Sequence, residues 1–146
     1  MTYDELYTYT KDLRVLYVED EELVRKSTLS FLENYFISID VCEDGQEGLE
    51  KYHKSSEEKT PYDIVLSDIH MPYLNGLQMT KKIKLNNPDQ IIVFISAHND
   101  REVLLEAINL GVYYYLLKPL DLEEFSKVIS VVAKNITTST SRDKTS

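Results

Sequence analysis

Apolar residues return along this chain in two rhythms. Short runs rich in β-branched and aromatic side chains occupy residues 13–18, 38–42, 64–67, 91–96 and 113–117, and between them apolar positions recur every three or four residues. The short runs predict strands, and the longer segments predict helices at about 21–34, 46–54, 76–86, 101–110 and 122–136. In the last of these, Leu122, Phe125, Ile129, Val132 and Ile136 form one stripe that must face a core. Its start is marked by Asp121 with Glu124 three residues on, the chemistry of a capping box, and Asp44 with Glu47 repeats the pattern. Five strand–helix units in succession predict an α/β domain around a mainly parallel sheet.

Two segments fall outside that alternation. Residues 1–12 read as an N-terminal extension in which Thr2 and Glu5 stand at capping spacing and Tyr3, Leu6 and Tyr7 share a face, which predicts a short leading helix. Residues 137–146 are almost all Thr, Ser and charged, with too little apolar surface to offset the entropy of ordering, so they read as a flexible tail or the start of a linker. That leaves 13–136 as the domain, and 54–60, rich in Ser, Glu and Lys, as its longest internal loop.

Composition narrows the functional classes. At 146 residues the chain supports one domain with a full core, and its net charge of −9 disfavours binding to a phosphate backbone. The apolar runs are far shorter than the ~20 residues that cross a bilayer, and no basic-then-apolar leader follows Met1, so a cytoplasmic protein without membrane contact is expected. The single cysteine, Cys42, has no internal partner and reads as a buried structural thiol.

The ends of the strands carry the chemistry. Glu19 and Asp20 follow the first, Asp68 the third, Ser96 closes the fourth and Lys118 follows the fifth. In a parallel doubly wound sheet these groups meet at the carboxyl edge, where such folds bind ligands. The second strand ends at Cys42 and Glu43 instead, which suits an edge position and the order 2-1-3-4-5. Three carboxylates within ~5 Å repel by about 3 kcal/mol per pair at an effective dielectric near 20, so a cation is required. Oxygen donors without a Cys or His cage suit Mg²⁺, and His53, His70 and His98 lack the paired spacing of a zinc site. A lysine and a hydroxyl beside that ion suit a phosphoryl group, with Asp68 as the attacking carboxylate and Glu19 and Asp20 as metal holders. Each residue also has a plain reading: Asp20 as an N-cap, Asp68 as a turn residue, Ser96 and Lys118 as loop edges, Tyr115 as core packing.

The blocks Val15-Leu16-Tyr17-Val18-Glu19-Asp20-Glu21, Asp68-Ile69-His70-Met71-Pro72 with Gly76, Ser96-Ala97 and Tyr115-Leu116-Leu117-Lys118-Pro119 closely resemble the receiver domain of two-component response regulators, the CheY-like superfamily. The resemblance spans about residues 13–135. It implies a three-layer, doubly wound (βα)5 flavodoxin-like fold with a five-stranded parallel sheet of order 2-1-3-4-5. It further implies that Asp68 is phosphorylated from a histidine kinase phosphohistidine, and that Glu19, Asp20, Asp68 and the backbone carbonyl of His70 surround Mg²⁺. By the same resemblance Lys118 contacts the phosphoryl group, Ser96 moves to hydrogen-bond it, Tyr115 turns inward, and the Lys118–Pro119 bond is cis. The implied partners are a sensor histidine kinase or phosphotransfer protein, a downstream output domain or target, and a second copy through the face of the fourth helix, fifth strand and fifth helix of the repeat. The domain would bind no nucleic acid itself, and would be a signalling module rather than an enzyme, with only self-catalysed phosphotransfer and slow autodephosphorylation.

Other classes fit less well. A flavodoxin-like FMN carrier needs hydroxyls and backbone donors in the first loop, where Glu19-Asp20-Glu21-Glu22 would repel the phosphate. A haloacid-dehalogenase-type phosphatase needs a second acid two residues after its nucleophile, where this chain has His70. A degenerate receiver, acting as a phosphorylation-independent interaction module, is opposed by the intact Asp68, Ser96 and Lys118.

Overall fold

The computed structural model describes the backbone of residues 1–145 and the side chains of residues 1–136. Its elements run α1 (Tyr3–Thr10), β1 (Arg14–Val18), α2 (Glu22–Leu32), β2 (Ser38–Cys42), α3 (Gly45–Glu57), β3 (Ile64–Ser67), α4 (Gly76–Asn86), β4 (Ile91–Ser96), α5 (Arg101–Asn109), β5 (Tyr114–Leu117) and α6 (Leu122–Thr145). All strand pairs are parallel, in the order β2-β1-β3-β4-β5, as the strand-end chemistry and the resemblance both led us to expect.

Alternation along the strands builds the layers, because successive side chains leave a strand on opposite faces. Val15 and Tyr17 of β1 point into a cluster with Leu32 of α2 and Phe125, Ile129 and Val132 of α6. Leu16 and Val18 point the other way, into a cluster with Leu49 and Tyr52 of α3, Met79 and Ile83 of α4 and Ala107 of α5. The stripe expected on the last helix is therefore the one that docks, with Phe125 lying 5.1 Å from the rings of both Phe31 and Tyr35. Cys42 is fully buried, and burial pushes its thiol up to about 12, which leaves it inert.

The leading helix joins the first of these clusters. Thr2 caps α1 by accepting the N–H of Glu5 at 3.2 Å, Leu6 is buried, and the Thr10 hydroxyl donates to the Tyr35 carbonyl at 2.5 Å. The other caps follow the sequence: Asp44 accepts from Glu47 N–H, Asp121 from the N–H groups of Glu123 and Glu124. A full capping box at Asn75 and Gln78 starts α4, a pair not singled out in the sequence.

Two boundaries differ from expectation. The polar stretch 54–60 is not a long loop: α3 continues to Glu57, and Lys59 at φ 60° reverses the chain. Thr60 N–H bonds the Ser55 carbonyl and Lys59 N–H the Ser56 carbonyl, a Schellman closure in which a lysine takes the left-handed position usually given to glycine. At the other end α6 runs past Ile136 to Thr145. With no Gly or Pro there, each added residue extends a nucleated helix by one backbone bond. The side chains of 137–146, on which the expectation of a tail falls, lie outside the described residues.

Candidate functional site

Four of the five strands, β1, β3, β4 and β5, bring the predicted groups to the same edge of the sheet. Val18 of β1 pairs with Ser67 of β3, so the residues that follow them, Glu19 and Asp68, emerge side by side; Asp68 N–H donates to the Val18 carbonyl at 3.0 Å. On the far side Ser96 of β4 pairs with Leu117 of β5, and Lys118 N–H donates to the Ser96 carbonyl at 2.9 Å. Lys118 is thereby aimed back across β4, and its Nζ bridges the two acids: it donates to Asp68 Oδ2 at 2.9 Å and to Glu19 Oε1.

The acids converge. One carboxylate oxygen from each of Glu19, Asp20 and Asp68 lies within 4.8 Å of the others. Glu19 is fully buried and Asp68 nearly so. Asp68 Oδ1 accepts the Ile69 N–H at 2.6 Å, so both its oxygens are oriented by donors. Asp20 is not the cap of α2; that position falls to Glu21, whose side chain makes no capping bond, and Asp20 is left free to face the cluster.

Charge is incomplete at this site. Three carboxylates against one ammonium leave two negative charges if all ionise, which matches a divalent cation, and an all-oxygen donor set is the one Mg²⁺ takes. Burial pushes the Glu19 carboxyl up to about 7, with the Asp68 charge adding to the rise, although Lys118 bonds it. For Lys118 itself burial acts downward, and its hydrogen bonds to Asp68 and Glu19 outweigh that and hold its pKa above the ordinary value. The residues present therefore fit the metal.

The remaining predicted residues stand on β4, on β5 and in the loop after β3. Ser96 is fully buried, and its Oγ accepts the His98 N–H at 3.2 Å. Tyr115 is half-buried, its ring 6.4 Å from that of Phe94 and its hydroxyl donating to the His98 carbonyl across the β4–α5 loop. His70 is exposed in the loop after β3. The Lys118–Pro119 bond is cis. Gly76 packs so close beneath the acid that a Cβ would stand 2.3 Å from the Asp68 carbonyl oxygen. One contributor escaped the sequence reading: Arg25 on α2 donates to the backbone carbonyls of Glu19 at 3.1 Å and Asp20 at 3.4 Å, fixing the acidic loop. Its only signal is a lone arginine one turn and a half beyond the acidic pair.

A parallel sheet of this order, carrying an acidic cluster and a bridging lysine at its carboxyl edge, defines a CheY-like α/β protein. The chain belongs to the response regulator receiver domain family, whose model matches residues 15–130. It is 32% identical to the response regulator ArlR of Staphylococcus saprophyticus over 76% of this chain and 48% of that protein, and 34% identical to the DNA-binding transcriptional regulator NtrC of Escherichia coli over 73% of this chain and 22% of that protein. The chain thus spans about half or less of the curated relatives it matches. Among solved structures, the N-terminal domain of a Wolinella succinogenes protein superposes with TM-score 0.76 at 27% identity, covering 88% of this chain and 98% of that one. A Borrelia burgdorferi CheX–CheY complex with BeF3 and Mg²⁺ does so with TM-score 0.72 at 26% identity, covering 90% of this chain and 94% of that one. Among the described residues no helix is long and apolar enough to cross a membrane.

Proposed function

We propose that this receiver domain accepts a phosphoryl group on Asp68 from the phosphohistidine of a sensor histidine kinase or phosphotransfer protein, and that the acyl phosphate shifts its signalling surface. An Asp68 carboxylate oxygen attacks phosphorus, the P–O bond forms as the P–N bond breaks, and the departing imidazole keeps the electron pair and takes a proton. Glu19, Asp20, Asp68 and the His70 backbone carbonyl would hold the ion, and bound Mg²⁺ supplies charge neutralisation for the phosphoryl oxygens. Lys118 exchanges its carboxylate contact for a phosphoryl oxygen, which keeps its ammonium paired throughout. The observation that carries the reading is this lysine, drawn from β5 across the sheet to Asp68 Oδ2.

The new dianion offers acceptors that the free carboxylate lacks. Ser96 can give up the His98 N–H and donate its own proton to the phosphoryl group. That movement loosens the loop to which the Tyr115 hydroxyl is tied, and Tyr115 turns inward, so that phosphorylation selects between two arrangements of the α5–β5–α6 face. Exposed Leu105, Ile108, Tyr114 and Leu117 make this face the one for a second copy, an output domain or a target protein. We place the domain in the cytoplasm, where a kinase would reach it, with autodephosphorylation as its only slow turnover.

The test is direct. The protein is incubated with Mg²⁺ and a small-molecule phosphodonor, and its intact mass is followed. The expected result is the gain of one acid-stable, base-labile phosphoryl group, dependent on Mg²⁺ and lost in Asp68→Asn. An unchanged mass, as a degenerate receiver would give, contradicts the proposal.

A further inference from the structure

The machinery just described uses only the backbones of two histidines and leaves their imidazole rings free of any role in it. His70 follows β3 and His98 follows β4, each two residues beyond a strand-end group of the pocket, and their rings lie 4.3 Å apart at 73°. Both are exposed. The His98 backbone is held on both sides, its N–H by Ser96 Oγ and its carbonyl by the Tyr115 hydroxyl, so this ring is presented from a fixed loop. Neither imidazole belongs to the oxygen donor set of Glu19, Asp20 and Asp68.

We propose that His70 and His98 form a two-imidazole site for a divalent transition ion of the Cu²⁺ or Ni²⁺ class, separate from the Mg²⁺ position. Metal–imidazole nitrogen bonds of ~2.1 Å place each ring centroid ~3.2 Å from the ion. Two rings at the right angle of a square-planar or octahedral ion then have centroids ~4.5 Å apart, against ~5.2 Å for the tetrahedral angle of Zn²⁺. The observed 4.3 Å matches the right angle. Rotation about the last side-chain bond of histidine is soft, so each ring can turn a nitrogen to the ion without moving its loop. Water fills the remaining positions. An ion seated there ties the loop after β3 to the loop after β4.

Calorimetric titration of the whole chain with Ni²⁺ in excess Mg²⁺ tests the proposal. Excess Mg²⁺ fills the carboxylate site, so the expected result is one Ni²⁺ bound per chain, with affinity falling ~tenfold or more in both His70→Gln and His98→Gln, since even a partner one bond removed from a metal ligand is worth that much. His53→Gln should leave it unchanged. Both replaced side chains are exposed, so the variants fold, and unchanged circular dichroism checks this. Ni²⁺ binding abolished by Mg²⁺ would place the ion among the carboxylates, and binding indifferent to either histidine would place it elsewhere; each result overturns the proposal.

Discussion

Replacing Lys118 by Met removes the ammonium that bonds two buried carboxylates and leaves a chain of similar length. At 2.9 Å and an effective dielectric of about 20, the Asp68 contact alone amounts to about 6 kcal/mol of Coulomb attraction. The lysine's own desolvation, with its side chain only 17% exposed, offsets roughly half, and breaking a buried pair costs a net ~3 kcal/mol. For a chain of this size that lowers the unfolding temperature by ~10 °C. The loss depends on pH in a defined direction. With the lysine gone, Glu19 holds its proton more tightly, and once protonated it no longer repels the neighbouring carboxylate, so the deficit against wild type is large at pH 8 and shrinks toward pH 5. Mg²⁺ should stabilise the variant more than the wild type, because the cation takes over the missing neutralisation. Urea unfolding at both pH values, with and without Mg²⁺, reads all three effects. A Lys118→Met deficit that is equal at pH 5 and pH 8 would refute the electrostatic account of the pocket.

Three other outcomes follow from the same geometry. The Glu19 carboxyl stands at about 7 in the fold against 4.5 ordinarily, so the metal-free protein loses stability as pH rises from 4.5 through 7, and Mg²⁺ binding at pH 6 should release a proton and be weaker than at pH 8; calorimetry in buffers of different ionisation heat measures both. Gly76→Ala forces its Cβ to within 2.3 Å of the Asp68 carbonyl oxygen, and the backbone shift should cost ~1–3 kcal/mol in thermal unfolding and slow phosphorylation of Asp68. Phe125→Ala empties the contact between α6 and the Phe31–Tyr35 pair and should cost ~3–5 kcal/mol in urea, without changing which residue is phosphorylated.

What the sequence could and could not convey is governed by where the signal resides. The central strands were legible because burial on both faces makes Val15–Val18, Ile64–Leu66 and Ile92–Ile95 continuously apolar. Their termini announced the pocket, since a charged residue ending such a run has only the sheet edge to occupy. The end of α3 was illegible because its stop is a backbone conformation at Lys59, a residue type that gives no turn signal, and because buried Ser55 is polar. The double reach of Lys118 and the tether from Arg25 depend on side-chain directions that periodicity does not encode. The same holds for the meeting of His70 and His98, which are 28 residues apart in sequence (98 − 70 = 28) but stand on neighbouring strand ends.

Hydride trapping reads phosphorylation of the Asp68 carboxylate at residue resolution. The protein is treated with Mg²⁺ and a phosphodonor, the acyl phosphate is reduced with borohydride, and the peptides are mapped. The expected product is homoserine at position 68 alone, with Glu19 and Asp20 unchanged. Reduction at Glu19 or Asp20, or none at position 68 in a protein that has gained phosphate, would contradict it.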